Sequence, residues 1–226
     1  MINSDLAKIV NCLGCQYAWN PATTDYVLKD IFRQYSSLID QQYVRTYHNL
    51  QHIYVGLNLI EEYFDQSEDD INTMLAAWLF HDYYYSIKNR DKNESDSAQK
   101  GKDTCGHVVQ VWQLIMATKH DQISSDYSYQ FIQDIDLATF ACEDHQYWSD
   151  LVRMEYAGYS DADFYKGRIE FLNKLMKLKN NKLFSTSHFS RFNDIARKNI
   201  DQQLDHAELQ IKRSKSGISS PYLVLL

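Results

Sequence analysis

The sequence predicts an all-α protein that folds as one domain, and three observations support this prediction. The chain has 226 residues, a length that one domain can use to bury a substantial core. Only two prolines and seven glycines occur, so few residues interrupt helices. Apolar side chains recur every three or four residues along much of the chain, which is the spacing of amphipathic helices. We therefore expect packed helices and not a many-stranded sheet.

The first half of the chain contains four predicted helices. Residues 23–39 form the first, and the second begins near His48 and continues to Tyr63. The third runs from Ile71 to about Tyr84 and is apolar on nearly all sides, so it should lie at the centre of the fold. Residues 86–92 are polar and predict a loop. At its end, Asp91 and Glu94 have the spacing of a capping box that opens the fourth helix.

Four further helices are predicted in the second half, near residues 108–118, 131–140, 162–178 and 190–212. The resulting domain covers residues 23–212, with residues 1–22 as an N-terminal lead-in and residues 213–226 as a tail. The last part of the tail, Tyr222 to Leu226, is apolar. This segment is expected to dock on the chain itself or on a partner, and a homo-oligomer is left open.

Charge and composition exclude several classes of partner. The net charge of −7 argues against general attraction to a nucleic-acid polymer. It does not exclude a small anionic substrate, because a metal ion and a few arginines can reverse the field locally. We find neither a stretch of about 20 apolar residues that could span a membrane nor an N-terminal signal segment. The four cysteines can be reduced thiols, so the expected location is the cytoplasm.

Histidine and aspartate residues that can bind a metal occur at several places along the chain. His81 and Asp82 follow the apolar run Met74 to Phe80, while His120 and Asp136 come later. Upstream, His48 and His52 are four residues apart, so they share a face if a helix has begun by His48. The spacing alone leaves open whether both approach one metal or whether His52 only makes a hydrogen bond at the helix start. Imidazole and carboxylate ligands together suit a divalent transition metal.

The order of these residues resembles the metal-binding pattern of the HD-domain superfamily of phosphohydrolases. The pattern consists of Arg45-x-x-His48, His81-Asp82 and a later Asp136. The resemblance is strongest to the subgroup described as predicted metal-dependent HD-superfamily phosphohydrolases, and it spans most of residues 25–210. Further segments that carry the resemblance are Asn93-Glu94, Ala117-Thr-Lys-His120, Arg153-Met-Glu-Tyr156, Tyr165-Lys-Gly-Arg168 and Ala196-Arg-Lys-Asn199.

The resemblance implies a single-domain HD-type helical bundle that is a metal-dependent phosphohydrolase. Its ligands would be His48, His81, Asp82 and Asp136, which would hold one divalent Mn, Fe, Co, Ni or Zn ion, with Mg as a further candidate. Water activated by the metal would attack the phosphorus of a small phosphorylated compound, such as a nucleotide. Glu94 or His120 would assist proton transfer, although Glu94 has the alternative capping role. The candidates for substrate contact are Arg45, His52, Lys119, Arg153, Arg168 and Arg197.

Two other functions fit the same pattern. His107 and His120 lie between His81-Asp82 and Asp136, an order that also resembles two-metal members of the superfamily such as di-iron oxygenases. His107 follows Gly106 just before a predicted helix, so a capping or surface role is favoured and one metal is the preferred count. The second alternative is a noncatalytic regulatory module that binds a nucleotide or a metal.

Overall fold

The computed structural model describes residues 2–216 and, for residues 2–4, the backbone alone. This part of the chain is an all-α single-domain bundle, 70% helical, with eleven α-helices and a two-stranded hairpin. The apolar segment Tyr222 to Leu226 lies outside the described residues. The elements, in chain order, are α1 (Ile2–Gln16), α2 (Pro21–Tyr35), β1 (Leu38–Ile39), β2 (Tyr43–Val44), α3 (Leu50–Tyr63), α4 (Glu68–Phe80), α5 (Asn93–Thr104), α6 (Val109–Ala117), α7 (Tyr127–Asp136), α8 (His145–Glu155), α9 (Asp161–Leu178), α10 (Ser187–Ser190) and α11 (Asn193–Lys215).

Helix α4 lies at the centre of the bundle, as its apolar sequence predicts. It packs against α1, α3, α5, α6 and α7, and the side chains from Ala76 to Phe80 are all buried. Gly56 of α3 allows the closest approach, since a Cβ atom there would lie 2.0 Å from the Trp78 ring. Because α4 ends at Phe80, the next two residues, His81 and Asp82, lie at the carboxyl end of this central helix.

The ends of several elements differ from the sequence-based predictions. Helix α4 ends at Phe80 and not near Tyr84, and α7 and α11 are shifted by three or four residues from their predicted ranges.

Three further differences have local reasons. Helix α2 ends at Tyr35, and residues 38–39 pair with residues 43–44 as an antiparallel hairpin. Helix α3 begins at Leu50 and not near His48, because the Asn49 side chain caps it. Its Oδ1 atom accepts hydrogen bonds from the backbone amides of Gln51 and His52. The predicted capping box at residues 91–94 was wrong. Residues 90–92 form a short 3-10 turn, and α5 begins at Asn93 without a side-chain cap.

Three helices were not predicted from the sequence: α1, α8 and the four-residue α10. Helix α1 lies in the predicted lead-in, yet its Leu6, Val10 and Leu13 side chains belong to the same core as α4. Helix α8 carries Glu155 at its last position. Within residues 2–216, no helix is long and apolar enough to cross a membrane.

Candidate metal centre

Metal-binding side chains from three helices meet just beyond the carboxyl end of α4. His52 comes from the first turn of α3, and Asp136 is the last residue of α7. His52 Nε2 lies 3.2 Å from His81 Nε2 and 3.4 Å from Asp136 Oδ1. These three residues form a group that could hold a metal ion, with ligand atoms that all lie within 4.8 Å of one another.

Asp82 adds a carboxylate to this group. Its Oδ2 atom lies 2.9 Å from His81 Nε2 and 3.7 Å from His52 Nε2. The contact with His81 is an ion pair when the imidazole is protonated, although among residues 2–216 this buried oxygen makes no contact that meets hydrogen-bond geometry. A cation bound between these side chains would take the place of that proton as the positive charge beside the carboxylate.

The orientation of His81 also suits a metal ligand. Its Nδ1 atom lies 2.8 Å from the Trp78 carbonyl oxygen, which can only accept, so Nδ1 carries the hydrogen. The Nε2 atom therefore faces the other ligand atoms. Two imidazole nitrogens and two carboxylate oxygens form a donor set that fits a divalent transition metal. The residues present could thus hold a metal ion, and the donor set does not identify which one.

The charges within the cluster shift the pKa values of His81, Asp82 and Asp136. Burial alone would lower the pKa of His81, but the charge and proximity of Asp82, with Asp136 behind it, raise that pKa to about 9. Burial opposes ionisation of Asp82 and Asp136, yet the neighbouring imidazoles hold both pKa values below the ordinary aspartate range. A cation that binds here would therefore displace at least one proton, the one on the His81 imidazole.

His48 lies beside the cluster and is held by Glu155. The two residues are joined by a contact of 2.6 Å between His48 Nδ1 and Glu155 Oε2. Glu155 is fully buried, and its Oε1 atom accepts hydrogen bonds from the backbone amides of Tyr47 and His48. The His48 ring stacks on Tyr85 at 3.9 Å between centroids. Because α3 begins after His48, this ring does not share a helical face with His52. Its predicted role as a ligand stays a prediction.

A cavity of about 400 Å³ opens beside the metal-binding residues. His48, Asp82, His120 and Asp136 line it together with residues of α8, α9 and α11. Much of the remaining lining is aromatic, from Tyr47, Tyr85, Phe140, Trp148, Tyr156 and Phe171. This combination of apolar walls and a few convergent polar groups is typical of a site for a small organic ligand.

The two predicted catalytic residues line this cavity. Burial, reinforced by the charges of Asp82 and Asp136, raises the pKa of Glu94, so its carboxyl holds a proton more readily than an exposed glutamate does. His120 Nε2 lies 2.8 Å from Asp136 Oδ2. Its Nδ1 atom is buried and has no hydrogen-bond partner within the described chain. His120 therefore contacts the Oδ2 atom of the candidate ligand Asp136, whereas His52 lies near its Oδ1 atom.

Of the predicted substrate-contacting residues, Arg168 lines the cavity and His52 lies within the metal-binding group. The other four lie outside the cavity lining. Buried Arg45 donates to the backbone carbonyl groups of His48, Asp82 and Tyr83, so it ties the start of α3 to the end of α4. Arg153 is buried against Asp161, whereas Arg197 and Lys119 pair with aspartates near the surface, at Asp201 and Asp121.

Three polar residues of this region were not among the predicted site residues. Glu155 lies 107 positions from His48, so spacing gave no signal beyond its place in the segment Arg153-Met-Glu-Tyr156. Arg90 and Gln203 also line the cavity. His107, which a two-metal site would use, is 75% exposed and pairs with Asp103 at the surface.

Comparisons of the chain with protein-family models, with curated proteins and with solved structures give no match. The side chains of this site, and what they can bind, are therefore the basis on which a function is inferred.

Proposed function

We propose that this protein is a metal-dependent phosphohydrolase of the HD type that acts on a small phosphorylated compound. The observation that carries this proposal is the convergence of His52, His81, Asp82 and Asp136 at the edge of a cavity that also contains an arginine. Histidine and aspartate ligands, open space beside them and a cation within the same cavity are what the hydrolysis of a phosphate ester requires. The ordered sequence motifs that resemble the HD superfamily support the same assignment.

In this proposal His52 takes the ligand position that the sequence resemblance gives to His48. His52 Nε2 is 3.2 Å from His81 Nε2, and His52 belongs to the group of ligand atoms that lie within 4.8 Å of one another, which does not include His48. A divalent ion held by the four residues would lower the pKa of a bound water and polarise a phosphoryl oxygen.

His48 is then free to act on the substrate. Glu155 accepts the hydrogen of His48 Nδ1 and fixes the ring against Tyr85, so the Nε2 atom is the one available to the cavity. The Glu155 carboxylate raises the pKa of His48 although burial opposes this, which favours the protonated ring. Such an imidazole can donate a proton to the oxygen that leaves phosphorus. Glu94, which lines the same cavity, can accept the proton of the attacking water.

The walls of the cavity favour a substrate with a planar organic group. Trp148 and Tyr47 meet edge to face at 5.9 Å between ring centroids, and Tyr156 and Phe171 are further lining residues. Aromatic faces bind flat heterocycles by stacking. Nucleotides are therefore the first compounds to test.

The test is a panel of phosphomonoesters, diphosphates and cyclic phosphodiesters, assayed with Mn, Fe, Co, Ni, Zn and Mg in turn. We expect turnover of at least one nucleotide, and a loss of about two to four orders of magnitude in kcat for His48→Ala with metal still bound. His188→Ala is the control, because His188 is exposed and lies against Tyr63, away from the cavity. Absence of turnover throughout, with nucleotide binding retained, contradicts the proposal and favours a binding module.

A further inference from the structure

Arg168 is partly exposed in the cavity wall, and it differs from Arg153 because no carboxylate of the described residues pairs with it. Buried Arg153 pairs with Asp161 at 2.7 Å. Among residues 2–216, the Arg168 guanidinium makes one side-chain hydrogen bond, from Nη2 to Gln203 Oε1 at 3.0 Å, and its buried Nε atom has no partner. Burial lowers the pKa of Arg168, and the groups that oppose this effect are tyrosines and not carboxylates.

The guanidinium is nevertheless held in a fixed place. Its central carbon lies 5.4 Å from the Phe140 ring centroid and 5.6 Å from the Phe171 ring centroid, distances at which the ring faces attract a cation. Both aromatic residues line the cavity, as do Arg168 and Gln203. A positive charge is thus positioned in the cavity wall with donors left unused.

The orientation of Gln203 follows from its two neighbours. A guanidinium has donors only, so the Gln203 oxygen must face Arg168. The Gln203 amide nitrogen then faces His145 Nδ1 at 3.4 Å, and that ring atom must accept. The His145 hydrogen consequently lies on Nε2, which donates to Gln202 Oε1 at 3.0 Å. This chain of hydrogen bonds fixes the Gln203 amide and, through it, the guanidinium.

Removing a charge from water without a counter-ion is unfavourable by several kcal/mol unless a ligand supplies the opposite charge. An oxyanion is the ligand that matches a guanidinium best, because two parallel N–H groups can reach two of its oxygens.

We propose that Arg168 and Gln203 form an oxyanion subsite in the α9–α11 wall of the cavity, which binds a phosphate group without needing the metal. Arg168 contacts the anion, and Gln203 is a positioning residue. The subsite deepens the proposed function by assigning the residues that hold the phosphate group of the substrate. Its binding test, however, requires no turnover.

The test is calorimetric titration of inorganic phosphate into the full chain after treatment with EDTA. We expect binding by the unchanged protein and a loss of about ten- to a hundredfold in affinity for Arg168→Met, the effect of losing a charge-assisted hydrogen-bond donor. Gln203→Glu should also abolish binding, because its carboxylate takes the place of the anion. Arg213→Met, on an exposed part of α11, should bind like the unchanged protein.

Thermal unfolding distinguishes this role from a structural one. Arg168→Met removes a mostly buried charge that has no counter-ion among residues 2–216, so the variant should unfold at the same temperature as the unchanged protein or higher. Unchanged phosphate affinity in Arg168→Met overturns the inference, as does an absence of phosphate binding by the unchanged protein at millimolar concentration. Phosphate binding that depends on Arg168, in a protein that hydrolyses nothing, supports the subsite and contradicts the proposed enzyme.

Discussion

At the scale of single residues, the site depends on atoms whose partners fix their direction. The Trp78 carbonyl oxygen accepts a hydrogen bond from His81 Nδ1, which turns His81 Nε2 toward Asp82 and His52. In the same way, Glu155 Oε2 accepts from His48 Nδ1 and fixes the direction of the His48 ring. The sequence could identify the residue types in these pairs. It could not decide between His48 and His52, because that choice depended on whether α3 begins before or after Asn49.

Glu155→Gln tests the orientation of His48. The glutamine oxygen can keep both backbone amide donors, but its NH2 group then faces His48 Nδ1 and forces that atom to accept. We expect the His48 hydrogen to move from Nδ1 to Nε2, which nitrogen chemical shifts of labelled histidine report directly. Stability should change little in this variant.

Glu155→Ala is the matched comparison, because it leaves the Tyr47 and His48 amides without an acceptor. It should lower the free energy of unfolding by about 1–3 kcal/mol for each buried amide. A His48 tautomer that is the same in Glu155→Gln and in the unchanged protein would show that Glu155 does not orient the ring.

At the scale of elements, α4 and the helices around it bring the ligands together. The apolar run from Met74 to Phe80 correctly predicted a central helix, although α4 ends at Phe80 and not near Tyr84 as predicted. What the sequence did not reveal is how close α3 comes to α4. The Trp78 ring fills the space above Gly56, donates to the Ile53 carbonyl oxygen at 2.7 Å and stacks on His81 at 4.1 Å.

Gly56→Ala should therefore disturb both packing and metal binding. The added methyl group meets the Trp78 ring and not a flexible side-chain end, so the ring must move or α3 must shift. We expect a loss of about 1–3 kcal/mol in the free energy of unfolding, measured by urea denaturation, and weaker metal binding. Gly167→Ala is the control, since its Cβ would meet no atom within 4 Å. This variant should be as stable as the unchanged protein or up to about 1 kcal/mol more stable. Equal stability of both variants would contradict the packing argument.

Asp30 links α2 to the segment after α4 and to α5, and its contribution to stability should depend on pH. It is buried and accepts from Tyr83 at 2.5 Å and Lys100 at 3.0 Å, with Arg33 beside it. Burial acts to raise the pKa of Asp30, but the hydrogen bonds and positive charges outweigh it and lower the pKa. Since the folded pKa lies below the unfolded value of about 3.9, the stabilisation is present above about pH 4. It is lost as the pH falls through the folded pKa.

Asp30→Asn should thus cost about 1–3 kcal/mol of unfolding free energy at pH 7 and less below pH 4. Urea denaturation at both pH values measures the difference. The control is Asp25→Asn, an exposed i,i+4 partner of Lys29, which should cost at most about 0.5 kcal/mol. A cost for Asp30→Asn that stays constant down to pH 3 would rule out this coupling.

At the scale of the whole molecule, the all-α single-domain prediction is confirmed because apolar periodicity reports which helix faces are buried. The assembly of the site was harder to predict. Glu155 reaches His48 from α8, and Gln203 reaches the cavity from α11, each more than a hundred residues after His48. Such long-range pairs leave no periodic signal. Helix α1 was missed as an element for a related reason, since its few core residues are separated by polar ones.

The most direct test of the central claim is the number of metal ions per chain, measured by mass spectrometry after loading and desalting. We expect about one ion per chain in the unchanged protein, in His48→Ala and in His188→Ala. His52→Ala and His81→Ala should lose it. Full occupancy in both of these variants would contradict the metal centre. Loss in His48→Ala with retention in His52→Ala would return the ligand role to His48, as the sequence resemblance implies.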